Sequence, residues 1–233
     1  MFAVLTFVAL FGRPKITETV REQLRRMYGQ HHVFDYTEAR RIMYNDVDCV
    51  NGKMNLVYGG STIEWRCGGT EIPSSTIVNA EHTVPQSLFD KKPPMVSDLN
   101  HLFAAPSKLN NIRSNYPFVE MDYDSCSQFC HENSCSFTKP SNPDDYSCLG
   151  KDQKSFMPIK SGRGQVARAV LYFMTMYDEV DMSHVGKLET FKQWNHQFPP
   201  TQQEIDRNNA INQTQGNRNP YIDDYTLVDK AFP

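Results

Sequence analysis

Six cysteines, at positions 49, 67, 126, 130, 135 and 148, constrain this chain more than any other feature. An even number permits complete pairing, which belongs to an oxidising compartment rather than to the cytosol. The connectivity stays open in the sequence. The wide early pair and the dense later group point to Cys49 with Cys67, and to two bridges among Cys126, Cys130, Cys135 and Cys148 that pin the loop they span. Zinc is the competing reading, with Cys126, Cys130, His131 and Cys135 as soft ligands. Structural zinc sites usually set two close ligand pairs across a longer loop, and these residues fall in one run.

Export agrees with the N-terminus. Residues 2–11 form an apolar run followed by Gly12, Arg13 and Pro14, far shorter than the roughly 20 residues of a membrane span. The run has the character of a secretion-signal core, although no Lys or Arg precedes it and no small-residue cleavage site follows. A signal peptide over residues 1–14 and one domain over 15–233 are therefore expected. The product would be extracellular, or sit in the lumen of a secretory or digestive compartment, as a monomer off the membrane. With a net charge of -3, bulk charge cannot hold the chain on a polyanion, so any such site must be a local patch.

The hydrophobic pattern predicts mixed helices around a small antiparallel sheet, an α+β fold. Val20, Leu24 and Met27 mark a helix over residues 16–30, and Ala39, Ile42 and Met43 another over 36–44 with Thr37 as N-cap. Strands are expected over 54–58, 74–80 and 99–105, and Pro106 then suits the first turn of a helix reaching about Asn115. Residues 136–155 are rich in Ser, Asn, Asp, Pro and Gly and read as a surface loop. The broad apolar face of residues 164–177 marks a core helix; helices over 191–196 and 203–213 follow, then a polar, irregular tail.

The chemistry concentrates in Asn79-Ala80-Glu81-His82-Thr83-Val84-Pro85. A carboxylate beside an imidazole suits metal-assisted hydrolysis: Glu offers a hard oxygen to Mg²⁺ or a similar ion, and neutral His can deprotonate water. Neighbours on a strand point to opposite faces, so joint service requires the strand to end or twist here. A helix opened by Pro106 would place Asn110, Arg113 and Ser114 on one face. Asn110 could then give an amide oxygen to the ion, and Arg113 a planar fork to a phosphate. Arg163 and Arg168 are either solvated helix ends or phosphate contacts.

Together these residues resemble the endonuclease I family of secreted or periplasmic nonspecific nucleases, which carry a His-Me finger, or ββα-metal, active site. The resemblance is carried by Glu81-His82-Thr83-Val84-Pro85, Asp98-Leu99-Asn100-His101-Leu102 and Asn110-Asn111-Ile112-Arg113-Ser114-Asn115. It continues through Arg163-Gly164 with Ala167-Arg168, Trp194-Asn195, and Gln215-Gly216-Asn217-Arg218-Asn219-Pro220-Tyr221. It implies His82 as general base, Glu81 and Asn110 as ligands of one Mg²⁺ (Mn²⁺ or Ca²⁺ being alternatives), and DNA, or RNA as well, as substrate. Cleavage would be largely independent of sequence, because contacts to phosphate and metal carry no base information. Weaker substrate contacts are expected from Arg113, Asn115 and Arg168.

The chain also departs from the family. Between His82 and Asp98 its insert is much shorter than in bacterial members, whose insert carries an arginine assigned to the transition state. Lys91 or Lys92 is the nearest substitute, although a lysine offers only a point charge. Ile112 stands where the family motif commonly has an acidic residue. Two other function classes fit parts of the pattern: a metal-dependent phosphodiesterase of small substrates, and a disulfide-rich extracellular binding protein that has lost catalysis. Asn212-Gln213-Thr214 matches the N-glycosylation acceptor pattern, which says little beyond surface.

Overall fold

A computed structural model describes residues 18–233; the expected signal segment lies outside them. Helix α1 (Val20–Tyr28) opens with Thr19, whose hydroxyl accepts from the Glu22 amide while the Glu22 carboxylate reaches back, a reciprocal cap. Helix α2 (Tyr36–Ile42) is capped by Asp35 rather than by Thr37, and it widens into a π-helical turn over Met43–Val47. Strands β1 (Cys49–Val50), β2 (Lys53–Leu56) and β3 (Ser61–Glu64) form one antiparallel sheet.

Strands β4 (Val78–His82) and β5 (Leu102–Pro106) pair antiparallel, from Val78 opposite Pro106 to His82 opposite Leu102. Both begin later than expected, at Val78 and Leu102; despite its β-branched residues, Ser74–Ile77 is a turn in which the Ile77 and Val78 amides bond the Ser74 carbonyl. Helix α3 (Ser107–Arg113) leaves β5 directly, with Pro106 in the cap position just ahead of the helix. A third sheet joins β6 (Cys126–His131), β7 (Ser134–Ser136), β8 (Ser147–Gly150) and β9 (Phe156–Met157) in the order β7-β6-β8-β9. Strand β8 corrects the expectation of a loop across residues 136–155: Cys148 and Leu149 are buried against β6 and β9, and pairing overrides the turn-rich composition.

Helices α4 (Arg163–Met176), α5 (Leu188–Gln197) and α6 (Gln202–Gln215) follow. Gly164 lets α4 meet the end of α5, since a Cβ there would lie 2.3 Å from the Phe198 carbonyl oxygen. The tail is not irregular: α7 (Pro220–Asp223) and α8 (Leu227–Ala231) bury Tyr221, Val228 and Phe232. No described helix is long and apolar enough to cross a membrane.

The disulfides are Cys49–Cys67, Cys126–Cys148 and Cys130–Cys135. They match the spacing argument, and they leave no thiolate for the zinc alternative. Two apolar cores flank the β4–β5 hairpin. Phe103 and Ala105 enter the larger, built around α4, whereas Leu102 and Ala104 enter the smaller, built with α2, β2 and Ile211. Every residue of β5 is buried, so both faces of the hairpin are covered.

Candidate active site

Strand β4 keeps its register through Glu81, opposite Phe103, and His82, opposite Leu102, and ends there. The break expected between the two residues therefore falls after His82. Directly paired residues share a face, so Glu81 turns to the side of Phe103 and His82 to the side of Leu102. Both are almost fully buried, at 3% and 4% exposed.

On its side Glu81 accepts a 2.7 Å hydrogen bond at Oε1 from the Tyr58 hydroxyl. Tyr58 follows β2 in a left-handed conformation, φ 69°. That cost is sustained because Ser147 Oγ donates to the Tyr58 carbonyl at 2.7 Å and itself accepts the Ile159 amide. The Arg113 Nε lies 3.5 Å from Glu81 Oε1, in ion-pair range without hydrogen-bond geometry. Burial outweighs both neighbours and pushes the Glu81 carboxyl up to about 7, although Arg113 and Tyr58 act to lower it. Among the described residues Oε2 has no hydrogen-bond donor. With Oε1 engaged by Tyr58, Oε2 is the oxygen left open to a ligand.

On the other side the His82 ring is held at both nitrogens. Nε2 lies 2.9 Å from the Val96 carbonyl oxygen, and Nδ1 lies 2.8 Å from Gln86 Nε2. A carbonyl only accepts and an amide NH₂ only donates, so Nε2 carries the proton and Nδ1 presents its lone pair. Burial drives the imidazole down to about 3, aided by neighbouring His101, so the ring is neutral near pH 7. His101, next to the Leu102 that pairs with His82, is held at one nitrogen: its Nε2 bonds the Met95 carbonyl at 2.6 Å, and its ring centroid lies 5.3 Å from that of His82. Tyr36 packs on the His82 ring at 5.6 Å.

Helix α3 is turned toward Glu81, because Arg113 makes the 3.5 Å contact and Asn110 sits one turn earlier on the same face. Asn110 is half-buried, and among the described residues its amide makes no hydrogen bond. Its backbone carbonyl accepts from Ser114 at 3.0 Å as the helix ends. Glu81 and Asn110 thus offer two hard oxygens. No group of three or more His, Cys, Asp or Glu able to hold a metal occurs among the described residues. A two-oxygen set with water completing the shell suits Mg²⁺, which dehydrates reluctantly, better than zinc or copper.

Two arginines expected at phosphate are engaged within the fold instead. Arg113 is 1% exposed, and its fork donates to the Thr83 carbonyl at 2.7 Å and the Ser114 carbonyl at 2.9 Å. Arg168, equally buried, is bidentate to Glu204 at 2.6 and 2.7 Å and donates to the Phe198 carbonyl. Arg163 pairs with Glu120. These guanidiniums hold the fold and have no fork to spare for a ligand. Lys91 and Lys92 lie exposed in a turn, with Lys92 paired to Asp90, and Asn115 is exposed beyond α3.

The Asp98-Leu99-Asn100 and Gln215-Gly216-Asn217 motifs meet as one buried network. Asp98 Oδ2 accepts the hydroxyls of Tyr172 at 2.8 Å and Tyr177 at 2.7 Å, and Oδ1 accepts from Gln215 and the Asn100 amide. Asn217 joins Asn100, Tyr172 and Gln215. Gly216, at φ 89°, ends α6 so that Gln215 and Asn217 can turn inward together. Arg207, paired with Asp48 at 2.6 Å, donates to the Leu99 and Leu102 carbonyls. The motif therefore fixes the entry of β5.

The pattern of single residues gave no warning of Tyr58, Tyr36 or the Val96 carbonyl, which reach the site only through the fold. Gln86, four residues past His82, is the one partner whose position in the sequence carries a signal. A cleft of about 810 Å³, lined by Tyr58, Phe103, Arg168 and Arg207 among others, does not include Glu81, His82 or Asn110. The chemistry follows the side chains rather than that cavity.

The sequence is similar to known nucleases along most of its length. The Endonuclease I family profile matches residues 16–225. An extracellular deoxyribonuclease of Aeromonas hydrophila is 30% identical over 95% of this chain and 95% of its own length. A periplasmic deoxyribonuclease of the same organism is 31% identical over 55% of this chain and 48% of its own length. An extracellular ribonuclease of Bacillus subtilis (strain 168) is 25% identical over 94% of this chain and 76% of its own length.

Proposed function

The chain belongs to the endonuclease I family, and we propose that it is a secreted, Mg²⁺-dependent endonuclease that cuts DNA, with RNA as a second substrate, largely without regard to sequence. The observation that carries this reading is the His82 ring, neutral and fixed by the Val96 carbonyl so that the Nδ1 lone pair faces Gln86. The β4–β5 hairpin running straight into α3 supports a His-Me finger assignment, with His82 at the end of the first strand and Asn110 on the helix.

In this reading His82 Nδ1 takes a proton from the attacking water once substrate moves the Gln86 amide aside. The water then adds to phosphorus in line with the 3′ oxygen, whose bond to phosphorus breaks and which takes a proton from solvent, giving 5′-phosphate and 3′-hydroxyl products. Glu81 and Asn110 would hold the ion, which when bound supplies Lewis-acid stabilisation of charge on the phosphate and leaving oxygen. Tyr58 and Arg113 orient Glu81, and the Val96 carbonyl keeps the productive tautomer of His82.

Plasmid digestion with and without chelator tests the assignment. His82→Ala should lower kcat by about 10²–10⁴-fold with metal present, and cutting at the native rate would remove His82 as base. Glu81→Ala and Asn110→Ala should shift the Mg²⁺ titration to higher concentration. Unchanged titrations in both would remove the ligand pair.

A further inference from the structure

Most described arginines have a carboxylate within 4.0 Å, but Arg21, Arg40 and Arg66 have none. Arg66 is exposed, and Arg21 stacks on Phe232. Arg40 differs from both. It is half-buried in the last turn of α2, and its Nε is shut off from water with no hydrogen-bond partner among the described residues. Its guanidinium carbon lies 5.0 Å from the centre of the Tyr36 ring, one turn earlier in the helix. The same ring lies 5.6 Å from that of His82. One aromatic side chain thus separates an uncompensated cation from the residue assigned as base.

Holding a guanidinium partly out of water without a counter-ion is costly, and a cation–π contact recovers only about 1 kcal/mol. A planar fork of donors so placed is matched by a phosphate oxygen pair.

We infer that Arg40 is a substrate-binding residue that grips a backbone phosphate of the nucleic acid beside His82, across the Tyr36 ring. The inference rests on the nuclease reading above and adds a contact that the reading does not contain. Because the contact is to phosphate, it is blind to base identity and strengthens binding equally for all sequences.

The test is the steady-state cleavage of a fluorescent 20-base-pair DNA duplex in Mg²⁺ across a series of NaCl concentrations, for the native chain, Arg40→Met and Arg40→Lys. Arg40→Met should raise KM about tenfold at low salt, the loss of one charged hydrogen-bonded contact. Its plot of log KM against log salt should be less steep by about 1, with kcat nearly unchanged. Arg40→Lys should restore the slope while recovering only part of the KM, since it keeps the charge and loses the fork. A native slope and KM in Arg40→Met would overturn the inference, as would a fall in Tm with both unchanged, which is the mark of a purely structural arginine. Should Arg40→Met fail to fold, Arg40→Gln serves as the neutral variant. A native chain that leaves the duplex intact would sink the nuclease reading itself, a result distinct from cleavage that ignores Arg40.

Discussion

Replacing Arg113 by Met separates the role read from the sequence from the one seen in the fold. The guanidinium is 1% exposed, donates to the Thr83 and Ser114 carbonyls, lies 3.5 Å from Glu81 and sits 4.6 Å from the Phe118 ring centre. Met fills much of the volume but strands two carbonyls and removes the cation beside a buried carboxylate. Breaking a buried charged pair by removing one partner costs about 3–5 kcal/mol. Glu81, already pushed up to about 7, can take a proton and so limits the loss to the lower part of that range. For a chain of this size each kcal/mol lowers Tm by about 2–4 °C, so a fall of about 10 °C is expected. Thermal unfolding of the oxidised protein in chelator measures it, and Mg²⁺-supported cleavage well below the transition gives KM and kcat. Arg113→Met should lower kcat through a displaced Glu81 and leave KM within about twofold. An unchanged Tm with KM raised about tenfold would refute the structural role and restore a phosphate contact.

Tyr58→Phe removes the one hydroxyl on Glu81 Oε1 and should cost about 1–2 kcal/mol in urea unfolding, with the Mg²⁺ titration moved to higher concentration; an unmoved titration would deny Tyr58 any hold on the ligand. Burial acts to raise the Asp98 carboxyl, yet the neighbouring imidazoles of His31 and His101 and its hydrogen bonds, from Tyr177 among others, hold it below the usual value of 3.8. Its contribution is therefore complete above the unfolded pKa and fades as pH falls through the folded one. Asp98→Asn should cost about 2–4 kcal/mol at pH 7 and progressively less below pH 3.8, so a pH-independent difference between the two proteins would contradict this. Closing loops of 18 and 22 residues, Cys49–Cys67 and Cys126–Cys148 should each contribute about 3 kcal/mol, against about 2 for Cys130–Cys135 with a separation of 5. Paired Cys→Ser variants ranked by urea midpoint would reverse that order if loop entropy were not the controlling quantity.

What the sequence could carry was set by range. Helix α4 was readable because Val166, Val170 and Phe173 recur along one continuous segment, and the disulfides because the cysteine spacing is itself a contact map. Strand β8 was hidden: Ser147 and Gly150 look like turn residues, and only pairing with β6 makes their neighbours a strand. The tail went unread for the same reason, since Tyr221 and Phe232 are anchored by packing rather than by local pattern. At the site, Glu81, His82 and Asn110 were visible as residue types in order. The fate of Arg113 and Arg168 was not, because an arginine that pins carbonyls and one that grips phosphate have the same letter and the same helical spacing.

The alternation of strand faces looked like an obstacle to a joint role for Glu81 and His82, and the fold turns it to use. Were both side chains on one face, a metal ligand needing charge around it and a base needing a neutral, fixed ring would share one set of neighbours. Instead β4 sends Glu81 toward Tyr58 and Arg113 and His82 toward Val96 and Gln86. The two environments push the pair in opposite senses, one carboxyl upward and one imidazole downward. Such a separation needs a hairpin buried on both faces, because an exposed face would solvate one of the two and return it toward its ordinary value. On the function proposed here, the double burial of β5, with Phe103 in one core and Leu102 in the other, is a condition of the chemistry as much as of stability.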